Sequence, residues 1–329
     1  MSVPAKHDRL PAAASGTSAP SLAETRRMLI IVNRHATAVS GELRDLILYA
    51  LSGRFELDAV DTEARGHATE LCREAAHEGY DVVVTFGGDG TVNEAANGLR
   101  GSDTPLCCLP GGSANVFAKM LGIPADIIDA TERLLSLADD WRQRTIDLGS
   151  VNGRCFTFSS GVGLDASVVQ RVDANPRLKA RLGAYYFALV AISTFSRRYL
   201  LGAPRMQVHA GGQTHRGITA IVQNGSPFTY FNSHPIDVAD GAALDSGTLA
   251  GAVLRRATPL SAPSIAWRVL SRSARVTGQR QVRGFSGLTE LTVSAADDRT
   301  LPLQVDGDYL GNVDEARYSI LPRSLNIIA

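Results

Sequence analysis

Short apolar runs alternate with helical spacing through the first half of the chain. "RRMLIIVN" (26–33) climbs directly into a continuous apolar run, the pattern of a strand buried on both faces of a parallel sheet. Residues 41–53, "GELRDLILYALSG", carry helical spacing closed by Gly53, and "FELDAVDT" follows as a second strand. "GHATELCREAAHEGY" then places Ala68, Leu71, Cys72 and Ala75 on one helical face and stops at Gly79. "DVVVTF" reads as strand three, "VNEAANGL" as the start of a helix, "PLCCLP" as strand four and "ANVFAKMLG" as another helix. This β-α alternation predicts an α/β unit: an open, mostly parallel sheet with helices on both faces.

Near residue 150 the rhythm changes. "RMQVHAGGQTHRGITAIVQNG" predicts two strands around a Gly-Gly turn, and "LTELTVSAADDRTLPLQVDGDYLG" has the same character, with a turn at Asp306-Gly307. Two helical stretches interrupt it, 178–201 and roughly 260–276. The expected division is a disordered leader over 1–27, an α/β domain over 28–149 and a β-rich domain over 150–329 built on an antiparallel sandwich. The leader is rich in Ala, Pro, Ser and Thr and lacks the apolar segment of a signal peptide.

Composition narrows the classes. The chain has 329 residues, 44% hydrophobic, enough for a sizeable core. Its 33 basic residues balance 33 acidic ones, so no global field recruits nucleic acid, and no Arg/Lys patch with interleaved aromatics stands out. Cys72, Cys107, Cys108 and Cys155 show neither disulfide nor zinc spacing, which suits a reducing cytoplasm. The histidines lack the spacing of a helical metal site. No run approaches the roughly 20 apolar residues needed to span a bilayer.

The chemistry gathers at Gly87-Gly88-Asp89-Gly90-Thr91, where strand three turns into a helix. Ligands of open parallel sheets collect at the carboxyl ends of strands. Glycines let backbone N–H groups approach a phosphate, and a following helix N-terminus supplies unpaired donors. Asp89 would repel bare phosphate, and fits if a magnesium ion stands between it and a nucleotide, directly or through water. Asn93 and Glu94 add polar groups to the first helical turn, and "LCCLPGGSANVFAKMLGIP" repeats the strand–turn–helix device one strand later. The competing reading is a plain tight turn with Thr91 as a helix cap.

At these residues the sequence resembles the diacylglycerol kinase catalytic family, related to sphingosine and ceramide kinases, from about Met28 to the C-terminus. "GGDGTVNEAANGL", "LPGGSANVFAKMLGIP" and "LPLQVDGDYLG" match three of its motifs in order. The resemblance implies a two-domain lipid-kinase fold, ATP and Mg²⁺ as cofactors, and transfer of the γ-phosphoryl group to a lipid hydroxyl, with diacylglycerol as acceptor. It implies nucleotide contacts at Asn33 to Thr37, at Thr62, over the loop Gly87, Gly88, Asp89, Gly90, Thr91, Val92, Asn93 and Glu94, and at Ser113 and Asn115. Asp89 would hold the metal through water and Asp308 would take the proton from the lipid hydroxyl. Glu94 would hold the nucleotide sugar or order water. Asp308 stands where the family has Glu, one methylene longer, so Asp306 is a candidate to share the work. Val116 stands where many relatives have Asp. "ALDSGTL" (243–249) resembles the family's structural metal loop with Ser246 in place of its second Asp, leaving Asp245 as a candidate ligand.

Asp-Gly between apolar runs is also a strong hairpin signal and accounts for Asp306 and Gly307 alone, but not for Asp308. Residues 178–202 place aromatic and aliphatic side chains between Lys179/Arg181 and Arg197/Arg198. That pattern suits either a core helix or a helix lying on an anionic bilayer. The expected partners are therefore a lipid alcohol and, transiently, the inner membrane surface of the cytoplasm. A homodimer is left open. The rival readings are an NAD kinase, which shares the first glycine motif, and a pseudo-kinase that binds without turnover.

Overall fold

The computed structural model describes residues 25–34, 36, 40–138, 141–175, 178, 186, 189–191, 193–194, 205–231, 234–271 and 274–329. The leader up to residue 24, Thr37 and most of 178–202 lie outside the described residues, and so do the expectations attached to them.

The first half runs β1 (Arg27–Val32), α1 (Gly41–Ser52), β2 (Glu56–Asp61), α2 (His67–Glu78), β3 (Val82–Gly87), α3 (Asp89–Leu99), β4 (Leu106–Pro110), α4 (Val116–Met120) and α5 (Ile127–Leu137). β2, β1, β3 and β4 are parallel neighbours in that order. Central β3 and β4 are buried along their whole length, as their unbroken apolar sequences require. Local chemistry sets the helix limits. Ser40 accepts the Leu43 N–H to start α1, Asp126 accepts those of Ile128 and Asp129 to start α5, and Gly79 ends α2 at a φ of 74°.

The second half runs β5 (Arg144–Val151), β6 (Arg154–Phe156), β7 (Ser159–Gly163), α6 (Leu164–Asp173), β8 (Met206–Ala210), β9 (Gln213–Gly217), β10 (Thr219–Gln223), β11 (Thr229–Phe231), β12 (His234–Ile236), β13 (Leu249–Leu254), α7 (Ala262–Leu270), β14 (Val282–Leu288), β15 (Glu290–Ala295), β16 (Leu301–Val305), β17 (Asp308–Val313) and β18 (Glu315–Ile327). One antiparallel sheet has the order β14-β13-β10-β7-β16-β17. It packs against β8, β15 and β18 through a shared core that includes Val162, Val222, Val253, Leu303, Val208, Val293 and Tyr318, giving the expected sandwich.

The sandwich and the parallel sheet are joined by one strand. β18 pairs with β15 and β5, and at its far end Ile327 pairs in parallel with Leu106 of β4. The path β2-β1-β3-β4-β18-β15-β8-β9 is thus a single hydrogen-bonded sheet. Leu325, Ile327 and Ile328 enter the core of the parallel half, together with Ile146, Leu148 and Phe158. Among the described residues no helix is long and apolar enough to cross a membrane.

Candidate active site

The glycine loop sits between β3 and α3, with Gly88 in extended backbone as the N-cap. Helical geometry leaves the N–H groups of Asp89, Gly90 and Thr91 without an intrahelical acceptor, and they open toward the strand ends. The second glycine loop lies directly on the first. Gly111 N–H donates to Gly87 O at 2.8 Å, and a Cβ on Gly112 would stand 2.6 Å from the Gly88 Cα. Glycine at 112 is a matter of space, since the other backbone occupies the side-chain position. Asn115, at a left-handed φ of 48°, folds its amide back onto Gly112: Nδ2 donates to Gly112 O at 2.7 Å and Oδ1 accepts the Gly112 N–H at 2.9 Å. Its side chain thus fixes the loop's shape. Ser113 is exposed beside it.

Asp89 links the two loops. Its Oδ1 accepts the Phe117 N–H at 3.0 Å, at the start of α4. Burial pushes its carboxyl up to about 6, against the pull of the Phe117 and Val116 N–H groups, with Asp306 adding to the rise. Lys119, half-buried on α4, feels the Asp89 charge and stacks 4.9 Å from the Tyr230 ring centroid; burial lowers its ammonium below the usual lysine range.

Asn33 closes the other wall. Its Nδ2 donates to Thr91 Oγ1 at 3.1 Å, and a Cβ on Gly87 would meet that hydroxyl at 2.7 Å. Thr62 follows β2, with its N–H donated to Val32 O at 2.8 Å. Asp308 reaches the same place from the other half of the chain. Its Oδ2 lies 2.8 Å from where a Gly90 Cβ would be, and Oδ1 lies 3.7 Å from Arg65 NH2. The parallel sheet therefore supplies the cradle, and the β16–β17 hairpin supplies a carboxylate over it.

Several expected contacts are redirected. Val92 turns its side chain into the core and gives its N–H to Gly88 O. Asn93 is fully buried: Nδ2 donates to Cys155 O at 2.9 Å and to Asp306 Oδ2 at 2.8 Å, while Oδ1 accepts Arg154 NH2 at 2.6 Å. Its amide is committed to the junction between the two halves, not to a nucleotide. Glu94 accepts the Gly66 N–H at 2.8 Å on one oxygen and the Ala68 N–H at 3.3 Å on the other. It caps α2, whose own N-cap, Gly66, has no side chain to do so. Its carboxylate is thus engaged within the protein rather than held ready for a sugar.

Asp306, the other acid of the motif, is held by the protein's own donors. Its carboxylate is buried and accepts from Thr157 N, Thr157 Oγ1, Phe158 N, Ser159 N and Asn93 Nδ2, all within 3.0 Å. With φ of 46° at Asp306 and 84° at Gly307 the turn is of the hairpin type that Asp-Gly signals. The side chain adds what the turn rule omits, a lock holding the hairpin to the β6–β7 junction of its own half and, through Asn93, to α3 of the other. Gly307 N–H is held by Gln304 Oε1 at 2.9 Å, and Gln304 Nε2 donates to Asp165 Oδ2 at 2.6 Å. Burial pushes the Asp165 carboxyl up to about 6.

Asp245 is exposed, and its loop is closed by other groups: Ser246 Oγ donates to Ala243 O at 3.0 Å, and Asp147 Oδ2 accepts the Gly247 N–H at 2.6 Å. Among the described residues no group of three or more His, Cys, Asp or Glu side chains is gathered as a metal site. The donor set at Asp89 fits a divalent cation only where nucleotide phosphates complete the shell. The Arg65–Asp308 pair and the Asn93–Asp306 lock were not visible in the sequence, because no spacing rule connects positions more than 200 residues apart.

Residues 27–151 match the family model described as the diacylglycerol kinase catalytic domain. A "Diacylglycerol kinase" of Bacillus subtilis is 37% identical over 137 residues, 40% of this chain and 43% of that protein, so that match spans less than half of the relative. One of Staphylococcus aureus (strain bovine RF122 / ET3-1) is 26% identical over 292 residues, 88% of this chain and 87% of its own length. A solved diacylglycerol kinase structure from Bacillus anthracis shares the fold, with a TM-score of 0.67 at 19% identity over 93% of this chain and 97% of that one. Over residues 27–151 the chain thus matches the diacylglycerol kinase catalytic-domain model, and its likeness to a relative of that name runs over 88% of the chain.

Proposed function

We infer that the chain is an ATP-dependent lipid kinase that moves the γ-phosphoryl group of ATP onto a lipid hydroxyl, with diacylglycerol as acceptor and phosphatidic acid as product. The observation that carries this reading is the apposition of Asp308 and Gly90: a carboxylate from one half of the chain stands at the helix N-terminus that ends the glycine cradle of the other. Phosphoryl transfer asks the protein for positioning and neutralisation more than for covalent chemistry. Gly88 and Gly112, pressed together, leave backbone donors and no side chain on the floor of the cradle. Asn115 and the Asp89–Phe117 bond keep the second loop against the first. Asp308 would accept the proton of the lipid hydroxyl, and Arg65 beside it would offset the negative charge between carboxylate and phosphate. A magnesium ion bound with the nucleotide would screen the phosphates, and Asp89, whose Oδ1 accepts the Phe117 N–H, is the residue that would hold it.

The test is a phosphorylation assay with radiolabelled ATP offering diacylglycerol, sphingosine, ceramide and NAD in parallel. Labelled phosphatidic acid is expected from the wild type, with Asp89→Ala inactive yet folded. Label on NAD alone would favour the NAD-kinase reading. Nucleotide binding without label on any acceptor would favour a pseudo-kinase.

A further inference from the structure

Charge cancels over the whole chain but not locally. Residues 255–283 hold seven arginines and no Asp or Glu, against 33 basic and 33 acidic residues in the chain. Arg255, Arg256, Arg275, Arg280 and Arg283 are exposed. The same segment carries Leu260, 93% exposed, and Trp267, 60% exposed. α7 is firmly seated, so these side chains are not the fringe of a loose helix. Ile265 packs with Ile218, Ala257, Leu164 and Leu254, and Val269 packs with Val276, Ile236 and Ala252. Trp267 lies midway between those two anchors in sequence, hence on the opposite side of the helix. Arg268 is turned inward, donating to Arg275 O at 2.9 Å. Asp240 is the acid that pairs into this surface among the described residues, 3.6 Å from Arg275 Nε.

Exposed apolar side chains alone would say little. Leu46 and Tyr49 on α1 are also exposed, but Glu42 and Asp45 stand among them, and no basic cluster does. Around α7 the two signals coincide: an exposed indole and an exposed leucyl side chain on a segment flanked on both sides by exposed arginines. That combination complements an anionic lipid surface, where Trp sits at headgroup depth and arginines gather acidic headgroups. The place also fits. Ile265 shares a cluster with Leu164, the first residue of α6, and α6 lies against the β16–β17 hairpin that carries Asp308.

We propose that α7 and its flanks, Leu260 and Trp267 with Arg255, Arg256, Arg280 and Arg283, form the surface by which this protein docks on an anionic bilayer. The proposal rests on the lipid-kinase reading for its partner, because an acceptor dissolved in a bilayer must be met at the bilayer's surface. It places membrane contact on α7 rather than on 178–202, for which the sequence pattern left a core helix and a bilayer-lying helix as alternatives.

Trp141 and Trp267 are the two tryptophans of the chain, so a Trp141→Phe variant reports on Trp267 alone. With vesicles of phosphatidylcholine and phosphatidylglycerol its emission is expected to shift to the blue, and the protein to sediment with the vesicles. Pure phosphatidylcholine should do neither, and salt should reverse both effects. Arg255→Glu/Arg256→Glu and Trp267→Ala should each weaken sedimentation, the first by at least about tenfold. Both should keep the wild-type melting temperature and the wild-type rate on a short-chain diacylglycerol dispersed in detergent. Vesicle binding untouched by these changes, an unmoved Trp267 emission, or stronger capture by RNA or an acidic peptide than by vesicles would overturn the proposal. If the wild type docks as described but phosphorylates no lipid, the kinase reading fails alone. If it phosphorylates dispersed lipid while the variants dock normally, the docking surface fails alone.

Discussion

Asp306 and Asp308 stand two positions apart on one hairpin and do different work. Asp306 is buried among five donor contacts; Asp308 is half-exposed over Gly90. Replacing Asp306 by Asn sets an amide donor against that ring of donors. A loss of about 1–3 kcal/mol in unfolding free energy is expected, measured by denaturant titration. An unchanged stability would contradict the lock. Asp89 makes a pH prediction. Its folded pKa, about 6, is above the ordinary carboxyl value, so the folded chain takes up this proton more readily than the unfolded one. The stability it contributes is fully present below about pH 4 and is lost as pH rises through 6. A divalent cation needs the ionised form, so Mg²⁺-dependent nucleotide affinity should fall as pH is lowered through about 6. Asp89→Asn should flatten both trends, as calorimetry between pH 5 and 8 would show; a wild-type profile in that variant would contradict the assignment. Gly112→Ala should damage nucleotide binding more than Gly88→Ala. The added methyl would stand 2.6 Å from backbone in the first case and 3.3 Å in the second.

At the scale of elements, α2 and α3 explain why Glu94 is glutamate. α2 begins at Gly66, at a φ of 90°, and its first donors are satisfied from the neighbouring helix by Glu94. Glu94→Ala should destabilise the fold by about 0.5–2 kcal/mol and change nucleotide affinity little. A large loss of affinity at unchanged melting temperature would restore the sugar-binding expectation. The elements that the sequence predicted correctly were those with one dominant signal: the apolar runs of β1, β3 and β4, the Gly79 stop and the Gly-Gly and Asp-Gly hairpins. α6 went unread because "LDASVVQRVD" mixes small, branched and polar residues without a clear stripe. The α7 stretch is a shorter helix than its spacing suggested, followed by a turn of 3₁₀ helix at Val276–Gly278. Three glycine-bearing motifs announced the site by themselves. Their mutual contacts could not be read, because a hydrogen bond such as Asn93–Asp306 spans 213 positions and leaves no periodic trace.

For the whole molecule, the two halves are tied at three levels: the β18 strand that continues the parallel sheet, the C-terminal residues Leu325–Ile328 in the first core, and the Asn93–Asp306 lock behind the cradle. On the proposed mechanism the tie matters because a base supplied by one half would have to reach a phosphate held by the other, and misplacement by about 1 Å can cost 10²-fold in rate. The central claim is that Asp308 acts on the acceptor at a cradle that binds nucleotide independently of it. Single-turnover phosphorylation of diacylglycerol by Asp308→Asn, alongside the dissociation constant for Mg²⁺–ATP, tests that claim most directly. The expected result is a rate lowered by roughly 10²–10⁴ with the dissociation constant within a few fold of the wild type. A near-normal rate, or a loss explained entirely by weaker nucleotide binding, would contradict it.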